Sequence, residues 1–143
     1  MDDYTRWAAR IDADLVERAK AFVGAVAAGA SSDAMAAFCT PDITQEEFPN
    51  LLLPAGATRD LAALREANLR GRRVLSAQRY EVTHALRTGD CVALEMIWTG
   101  TLAVSLGALK PGDRLRARIA QFFEFRGGLI CRLRNYDCFD PLL

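Results

Sequence analysis

The sequence predicts an α+β protein in which three N-terminal helices pack on a mainly antiparallel sheet. Two observations predict this class. The first half of the chain carries apolar residues at helical spacing, and the second half alternates apolar and polar residues between glycine-containing turns. Because the helices come first and the hairpin-linked strands follow, alternating β-α-β units are disfavoured. At 143 residues the chain is expected to form a single domain over 1–143.

The first two helices are predicted from an apolar stripe and from capping residues. The stripe runs through 3–28, and Gly29 supplies a stop signal. A short second helix is expected through Phe38, before Pro41, with Ser31, Ser32 and Asp33 as candidate caps. The stripe of the first helix consists of Trp7, Ile11, Leu15, Phe22 and Val26.

The third helix is predicted over 59–69, with Thr58 as its cap and Gly71 as its end. Two prolines bracket a run of three leucines before it and disfavour helix there. Residues 43–48 are expected to form a short strand or an extended loop between the second and third helices.

The second half of the chain predicts four strands joined by tight turns. The first strand places Tyr80, His84 and Leu86 on one face, and the third places Gln121 as the one polar residue on an apolar face. The strands are predicted over 74–86, 91–104, 115–125 and 129–137, with turns at 88–90, 110–113 and 127–128.

Composition and charge disfavour several classes of function. The 18 basic and 18 acidic residues cancel, so no positive surplus is present to neutralise phosphates, and nucleic-acid binding is not expected. No apolar run approaches the roughly 20 residues that cross a bilayer, and membrane insertion is not expected. The acidic start lacks the pattern of a signal peptide, which favours a cytoplasmic location.

Metal and cofactor sites are not expected either. The four cysteines form no CxxC pair and the chain has one histidine, His84, so a zinc site is disfavoured and free thiols are expected. His84 itself is expected at the surface rather than in catalysis. No phosphate-binding, dinucleotide-binding, serine-hydrolase or zinc-protease motif occurs, and therefore no cofactor is predicted.

Four segments carry a resemblance to a known family. They are Trp98–Thr101, Leu109–Gly112, Phe122–Ile130 and Arg134–Pro141. In these segments and in its order of elements, the chain resembles the nuclear transport factor 2-like superfamily. This superfamily includes ketosteroid isomerases, SnoaL-like polyketide cyclases and limonene-epoxide hydrolases. The motifs are turn glycines, strand patterns and core aromatics, so they are specific for the fold and resemble uncharacterised SnoaL-like members.

The resemblance implies a cone-shaped, cystatin-like domain whose curved sheet wraps the long first helix. It also implies a hydrophobic pocket on the concave side and a homodimer formed through the outer face of the sheet. Phe122 shares that outer face with Arg118 and Glu124, a mixture that suits a protein interface. A solvated face is the alternative.

A pair of acidic residues is the first candidate for catalysis. Aligned from Phe22, the isomerases of the superfamily place their general base at about Glu46, next to Glu47. In an extended segment the two side chains point opposite ways, so at most one enters the pocket. Solvated loop carboxylates are the alternative. The isomerases also carry a tyrosine donor on the first helix, and Phe22 at that position has no hydroxyl.

The other relatives point to residues on the strands. The epoxide hydrolases carry an arginine and an aspartate where this chain has Met96 and Trp98, and their second aspartate falls at about Asn135 or Asp137. The cyclases keep an acidic residue in the strand of Gln121, which as an amide can hydrogen-bond a carbonyl but cannot exchange a proton.

The last strand adds a third acid/base candidate. Asn135 and Asp137 share a face of that strand and are expected to enter the pocket if Gln121 does. Structural hydrogen bonds are the alternative for Gln121 and Asp137. The ligand-binding residues are predicted to be Gln121, Asn135, Trp98, Met96, Tyr80 and Phe22, and the catalytic candidates are Glu46, Glu47 and Asp137.

Two functions remain open from the sequence. One is an acid/base enzyme of the isomerase, cyclase or hydrolase type that acts on a small, mostly apolar molecule. The other is a non-catalytic ligand-binding or dimeric interaction module on the same scaffold, since each catalytic set of the relatives is incomplete here.

Overall fold

The computed structural model describes residues 15–142, which form three helices and one six-stranded sheet. The predicted α+β class is confirmed. The predicted start of the first helix, with Trp7 and Ile11, lies outside the described residues. Within 15–142, no helix is long and apolar enough to cross a bilayer. In chain order the elements are α1 (Leu15–Ala27), α2 (Ser32–Ala36), β1 (Cys39–Glu47), β2 (Ala57–Arg59), α3 (Leu61–Val74), β3 (Leu75–Thr88), β4 (Cys91–Leu102), β5 (Arg114–Arg126) and β6 (Leu129–Phe139).

The sheet has the strand order β2-β1-β6-β5-β4-β3. The last four strands pair as antiparallel hairpins, as predicted. The segment expected as a strand or loop at 43–48 is a longer strand, β1, which runs parallel to β6. In this register Glu47 lies beside Asn135, so the first half of the chain contributes side chains to the same surface as the last strand.

The boundaries of α3 differ from the prediction at both ends. The N-cap is Asp60, whose side chain accepts a hydrogen bond from the backbone N–H of Ala63 at 2.9 Å. Thr58 instead lies in β2, opposite Glu46. Gly71 does not end the helix, which continues to its last residue, Val74. A single glycine inside a helix costs only about 1 kcal/mol, which the flanking turns tolerate.

Two register shifts in β3 overturn the predicted alternation of that strand. They lie between Leu75 and Ala77 and between Val82 and His84. At a bulge two residues oppose one, so every side chain beyond it changes face. Tyr80 therefore faces inward as predicted, but His84 and Leu86 face outward. Leu86 is 72% exposed, and exposed His84 pairs with Glu95 at 3.1 Å.

The core lies between α1 and the inner face of the sheet. Strand β5 alternates as predicted, with Gln121 and Phe123 buried and the arginines outside. Phe22 of α1 makes edge-to-face contacts with Phe123 and Phe38, with ring centroids 6.0 and 5.7 Å apart. Such buried aromatic pairs join the helix to the sheet through area burial and through ring geometry.

Trp98 occupies its position because the residue two places on has no side chain. An added Cβ on Gly100 would lie 2.5 and 2.6 Å from two atoms of the Trp98 ring and 3.1 Å from Leu75. The backbone of Gly100 is therefore in direct contact with the indole, and both residues are buried.

We expect Gly100→Ala to destabilise the protein by about 1–3 kcal/mol, because the indole must leave a filled site. Urea unfolding measures the change. Gly24→Ala is the matched control, since Gly24 lies within α1 and an added Cβ meets nothing within 4 Å. The free energy of unfolding of this control should rise by about 0.5–1 kcal/mol. Equal stability of Gly100→Ala and the parent protein would contradict the described placement of Trp98.

Candidate functional site

A cavity of about 340 Å³ lies between the helices and the inner face of the sheet. About half of its wall is polar or charged, so it is less apolar than the resemblance implied. Of the predicted residues it contains Glu47, Asp137, Gln121, Asn135, Tyr80 and Phe22. The remaining polar wall consists of Ser32, Gln45, Arg59, Arg65, Asn68 and Arg70.

Asn135 is the centre of an amide cluster that joins three strands. Its side-chain oxygen accepts hydrogen bonds from Gln45 Nε2 at 3.1 Å and from Gln121 Nε2 at 3.3 Å. Gln121 lies opposite Asn135 in the register of β5 and β6, and it is 5% exposed. It therefore lines the cavity and is tied to the side chain of a neighbour.

Glu47 is held by an ion pair inside the cavity. Arg59 Nη1 donates to Glu47 Oε1 at 2.9 Å and to Gln45 Oε1 at 3.0 Å. Asn50 Nδ2 donates to the other carboxylate oxygen of Glu47 at 2.9 Å. Both side chains of the ion pair are largely buried, so water screens it less than a surface pair. Glu47 thus has a cationic partner in place within the cavity wall.

Glu46 lies on the opposite side of β1 and does not line this cavity. Its carboxylate pairs with Arg132 of β6 at 3.0 Å, where the side chains are partly exposed. Successive side chains of a strand point to opposite faces, so only one of the two glutamates reaches the interior. Of the two glutamates, Glu47 is the one that lines the cavity.

Asp137 has the most unusual surroundings of the acidic residues. Its Oδ1 atom is buried and has no hydrogen-bond partner among residues 15–142. Burial and, to a smaller extent, the negative charge of Glu47 raise the pKa of Asp137 to about 6, with Arg59 opposing the shift. A carboxyl group in this range can both accept and release a proton near neutral pH.

Tyr80 lies close to both carboxylates. Burial raises the pKa of its phenol, and the charges of Asp137 and Glu47 raise it further. The hydroxyl therefore stays protonated at physiological pH and can donate a hydrogen bond to an oxygen that gains negative charge. Tyr80 was predicted as part of the wall, and in this position its hydroxyl is available as a donor.

A second cavity of about 400 Å³ adjoins the first. The two share Glu47, Arg70, Tyr80 and Asp137, which form the junction between them. Trp98 lines the second cavity. Met96 lines neither cavity, because its side chain is fully buried in the core.

Sequence reasoning missed several polar residues of the wall. Gln45 was detectable, because it lies two places before Glu47 in an extended segment and so shares its face. Arg59 was assigned to a helix and instead ends β2, beside Gln45. Asn68 and Arg70 lie on α3, and nothing in their local pattern distinguishes them from solvated residues.

A family model named SnoaL-like domain matches residues 19–133, which is most of the chain. The chain therefore belongs to the SnoaL-like domain family. No match is found among curated proteins.

Solved structures show the same fold at low sequence identity. AclR, a proposed hydroxylase from Streptomyces galilaeus, is 16% identical with a TM-score of 0.73, covering 88% of this chain and 76% of that chain. IdmH, a proposed polyketide cyclase from Streptomyces antibioticus, is 17% identical with a TM-score of 0.72, covering 86% and 91%. A ketosteroid isomerase-like protein from Catenulispora acidiphila, solved with trimethylamine, is 20% identical with a TM-score of 0.67, covering 84% of both chains. The nuclear transport factor 2-like fold is confirmed.

We expect Asp137→Asn to stabilise the protein at pH 8 by about 2–3 kcal/mol, because it removes a charge that burial disfavours. The folded pKa of about 6 lies above the usual value of 3.8. The penalty is therefore absent below about pH 4, grows as the pH rises and is complete above about pH 6. Urea unfolding of both proteins at several pH values between 4 and 8 measures this difference.

Asp140→Asn is the control for this measurement. Asp140 is partly exposed and pairs with Arg116 and Arg118, so the same substitution there should bring no gain in stability at pH 8. A difference between Asp137→Asn and the parent protein that stays constant from pH 4 to pH 8 would show that Asp137 has an ordinary pKa.

Proposed function

We propose that this protein is an acid/base enzyme that moves a proton on a small, mostly apolar carbonyl compound. The observation that carries the proposal is Asp137, a largely buried carboxyl group in the wall of a cavity, with a pKa of about 6 and an oxygen that has no partner among residues 15–142. A general base works best when its pKa is near the operating pH. Strong shifts of this kind concentrate at functional sites.

The proposed step is the removal of a proton from the carbon next to a carbonyl. The carboxylate of Asp137 takes the proton, and the electrons of the C–H bond move into the enolate. Tyr80 donates a hydrogen bond to the enolate oxygen, which supplies the donor that Phe22 cannot. Asp137 then returns the proton to another carbon, or the enolate carbon attacks a second carbonyl and closes a ring, and Asp137 gives its proton to the alkoxide oxygen that forms.

The amide cluster is proposed to position the substrate. Gln121 and Asn135 are fixed to each other and to Gln45, so their free polar atoms are held in place before a ligand arrives. Fixed amides bind a second carbonyl or hydroxyl at a lower entropic cost than flexible side chains. The names of several structural neighbours as polyketide cyclases agree with a substrate rich in carbonyl groups.

A non-catalytic ligand-binding module is the second candidate, and one observation favours it. Glu47 aligns next to the isomerase base but is ion-paired with Arg59 and bonded to Asn50, an arrangement typical of a structural carboxylate. In that case the cavity would bind a ligand without turning it over. Proton exchange on a bound ketone distinguishes the two functions.

We expect the protein to accelerate hydrogen–deuterium exchange at the carbon next to the carbonyl of 2-tetralone in D₂O, followed by NMR. The rate should rise as the pH passes through about 6, because Asp137 must be ionised to act as the base. Asp137→Asn should lower the rate by about 10²–10⁴-fold, and Tyr80→Phe by about 10²-fold or more.

Two matched variants control for indirect effects. Asp140→Asn and Tyr136→Phe make the same chemical changes outside both cavities and should leave the exchange rate unchanged. Full activity of Asp137→Asn would remove it as the base. Binding of 2-tetralone without any acceleration would support the non-catalytic module.

We also propose that the outer face of the sheet binds a second copy of the chain. Tyr136, which is 43% exposed, stacks on Phe48 at 4.5 Å and meets Phe122 edge-on at 5.8 Å between ring centroids. Arg134 lies over the Phe122 ring at 5.4 Å. Clustered aromatic and arginine side chains on an exposed face are typical of interface centres.

We expect sedimentation analysis to show a dimer that Tyr136→Glu converts to a monomer, because the substitution places a charge among the stacked rings. Leu69→Glu is the control, since Leu69 is exposed on α3 and not on the outer face of the sheet. A monomeric parent protein at micromolar concentration would contradict the proposed dimer.

A further inference from the structure

We propose that the second cavity is a separate subsite, which holds a flat apolar part of the ligand while Arg70 binds an anionic substituent at the opening. This inference names the ligand class of the site proposed above. It rests on that site being a ligand cavity, and it is independent of whether proton transfer takes place there.

The far wall of the second cavity is apolar. Its one indole N–H is already used, because Trp98 Nε1 donates to Gln78 Oε1 at 3.0 Å. Gln78 in turn donates to the backbone oxygen of Val26 at 3.3 Å, so the amide is fixed as well. The apolar part of this wall includes Val74, Leu75, Trp98, Leu102, Leu106 and Phe139.

This wall favours an apolar group over a polar one. A polar group placed there would lose its water without finding a partner, which weakens binding. An apolar group would gain free energy in proportion to the area that it removes from water. Trp98 and Phe139 meet edge-to-face with centroids 5.9 Å apart, and aromatic walls of this kind favour planar rings.

Arg70 differs from the other two arginines of the cavities. Arg59 is paired with Glu47, and Arg65 is paired with Asp33. Arg70 lines both cavities, is exposed, and has no hydrogen bond or ion pair to any of residues 15–142. A free guanidinium at the edge of an apolar cavity is suited to bind a carboxylate or another planar anion through paired N–H donors.

The shared junction residues explain why one ligand would contact both the apolar subsite and Arg70. Tyr80, Asp137 and Arg70 belong to both cavities, so a molecule held in the second cavity reaches the candidate acid/base groups. Because Arg70 is exposed, the anionic group would stay at the opening and away from the buried carboxyl of Asp137. The predicted ligand is a planar apolar acid with its reactive carbonyl at the junction.

Two fluorescent probes that differ by one anionic group test this inference. They are 8-anilinonaphthalene-1-sulfonate and its neutral analogue N-phenyl-1-naphthylamine. The parent protein should bind both, with the sulfonate bound more tightly. Arg70→Gln should raise the Kd of the sulfonate about tenfold, and it should leave the Kd of the neutral probe within twofold. Arg72→Gln, on the same helix but outside both cavities, should change neither.

A second variant tests the apolar subsite itself. Leu106 lies in the wall of the second cavity and is 38% exposed, so Leu106→Glu should fold. It should raise the Kd of both probes tenfold or more. Leu106→Gln adds no charge and should also raise the Kd of both probes. Leu86→Glu is the control outside the cavities and should bind both probes normally.

The outcomes separate this inference from the proposed function. Unchanged binding of the neutral probe by Leu106→Glu and Leu106→Gln would overturn the apolar subsite. An equal loss of affinity for both probes in Arg70→Gln would overturn the anion site. Asp137→Asn should lose proton exchange and still bind the neutral probe, so a failed enzyme and a failed subsite give different results.

Discussion

The parallel pairing of β1 with β6 is the constraint on which the candidate site depends. It places Glu47 beside Asn135 and brings the side chains of β1 onto the inner surface that β5 and β6 already form. The pairing also brings β2, and with it Arg59, within reach of that surface. A slip of one residue would turn Glu46 inward instead of Glu47 and would remove the ion pair.

The two inner carboxylates, Glu47 and Asp137, have different surroundings, and that difference is the basis of the proposed chemistry. Arg59 and Asn50 satisfy Glu47, whereas one oxygen of Asp137 is buried without a partner among the described residues. Arg59, the cation that opposes the pKa shift of Asp137, is already paired with Glu47. Burial and the charge of Glu47 disfavour the ionised form of Asp137, which is why its pKa rises and why the ionised carboxyl destabilises the folded state near neutral pH.

The site combines a rigid polar wall with an apolar one, and both are built on strands. The amides of Gln45, Gln121 and Asn135 hold one another, and Gln78 holds the indole of Trp98. Groups fixed in this way keep their geometry without a ligand, so binding needs little reorganisation. The fold thus provides the two properties that a carbonyl-containing, largely apolar molecule requires.

Local sequence patterns determined most of the fold and part of the site. The period of two in β5 and β6 placed Gln121 and Asp137 on the inner face, because alternation follows from strand geometry alone. Tertiary structure alone decided that Glu47 rather than Glu46 faces inward and that Arg59 is its partner, since strand register joins distant segments. It also turned His84 outward, through a bulge that alternation could not predict. The raised pKa of Asp137 was likewise beyond the sequence, because it arises from burial and from the charges that the fold assembles around it.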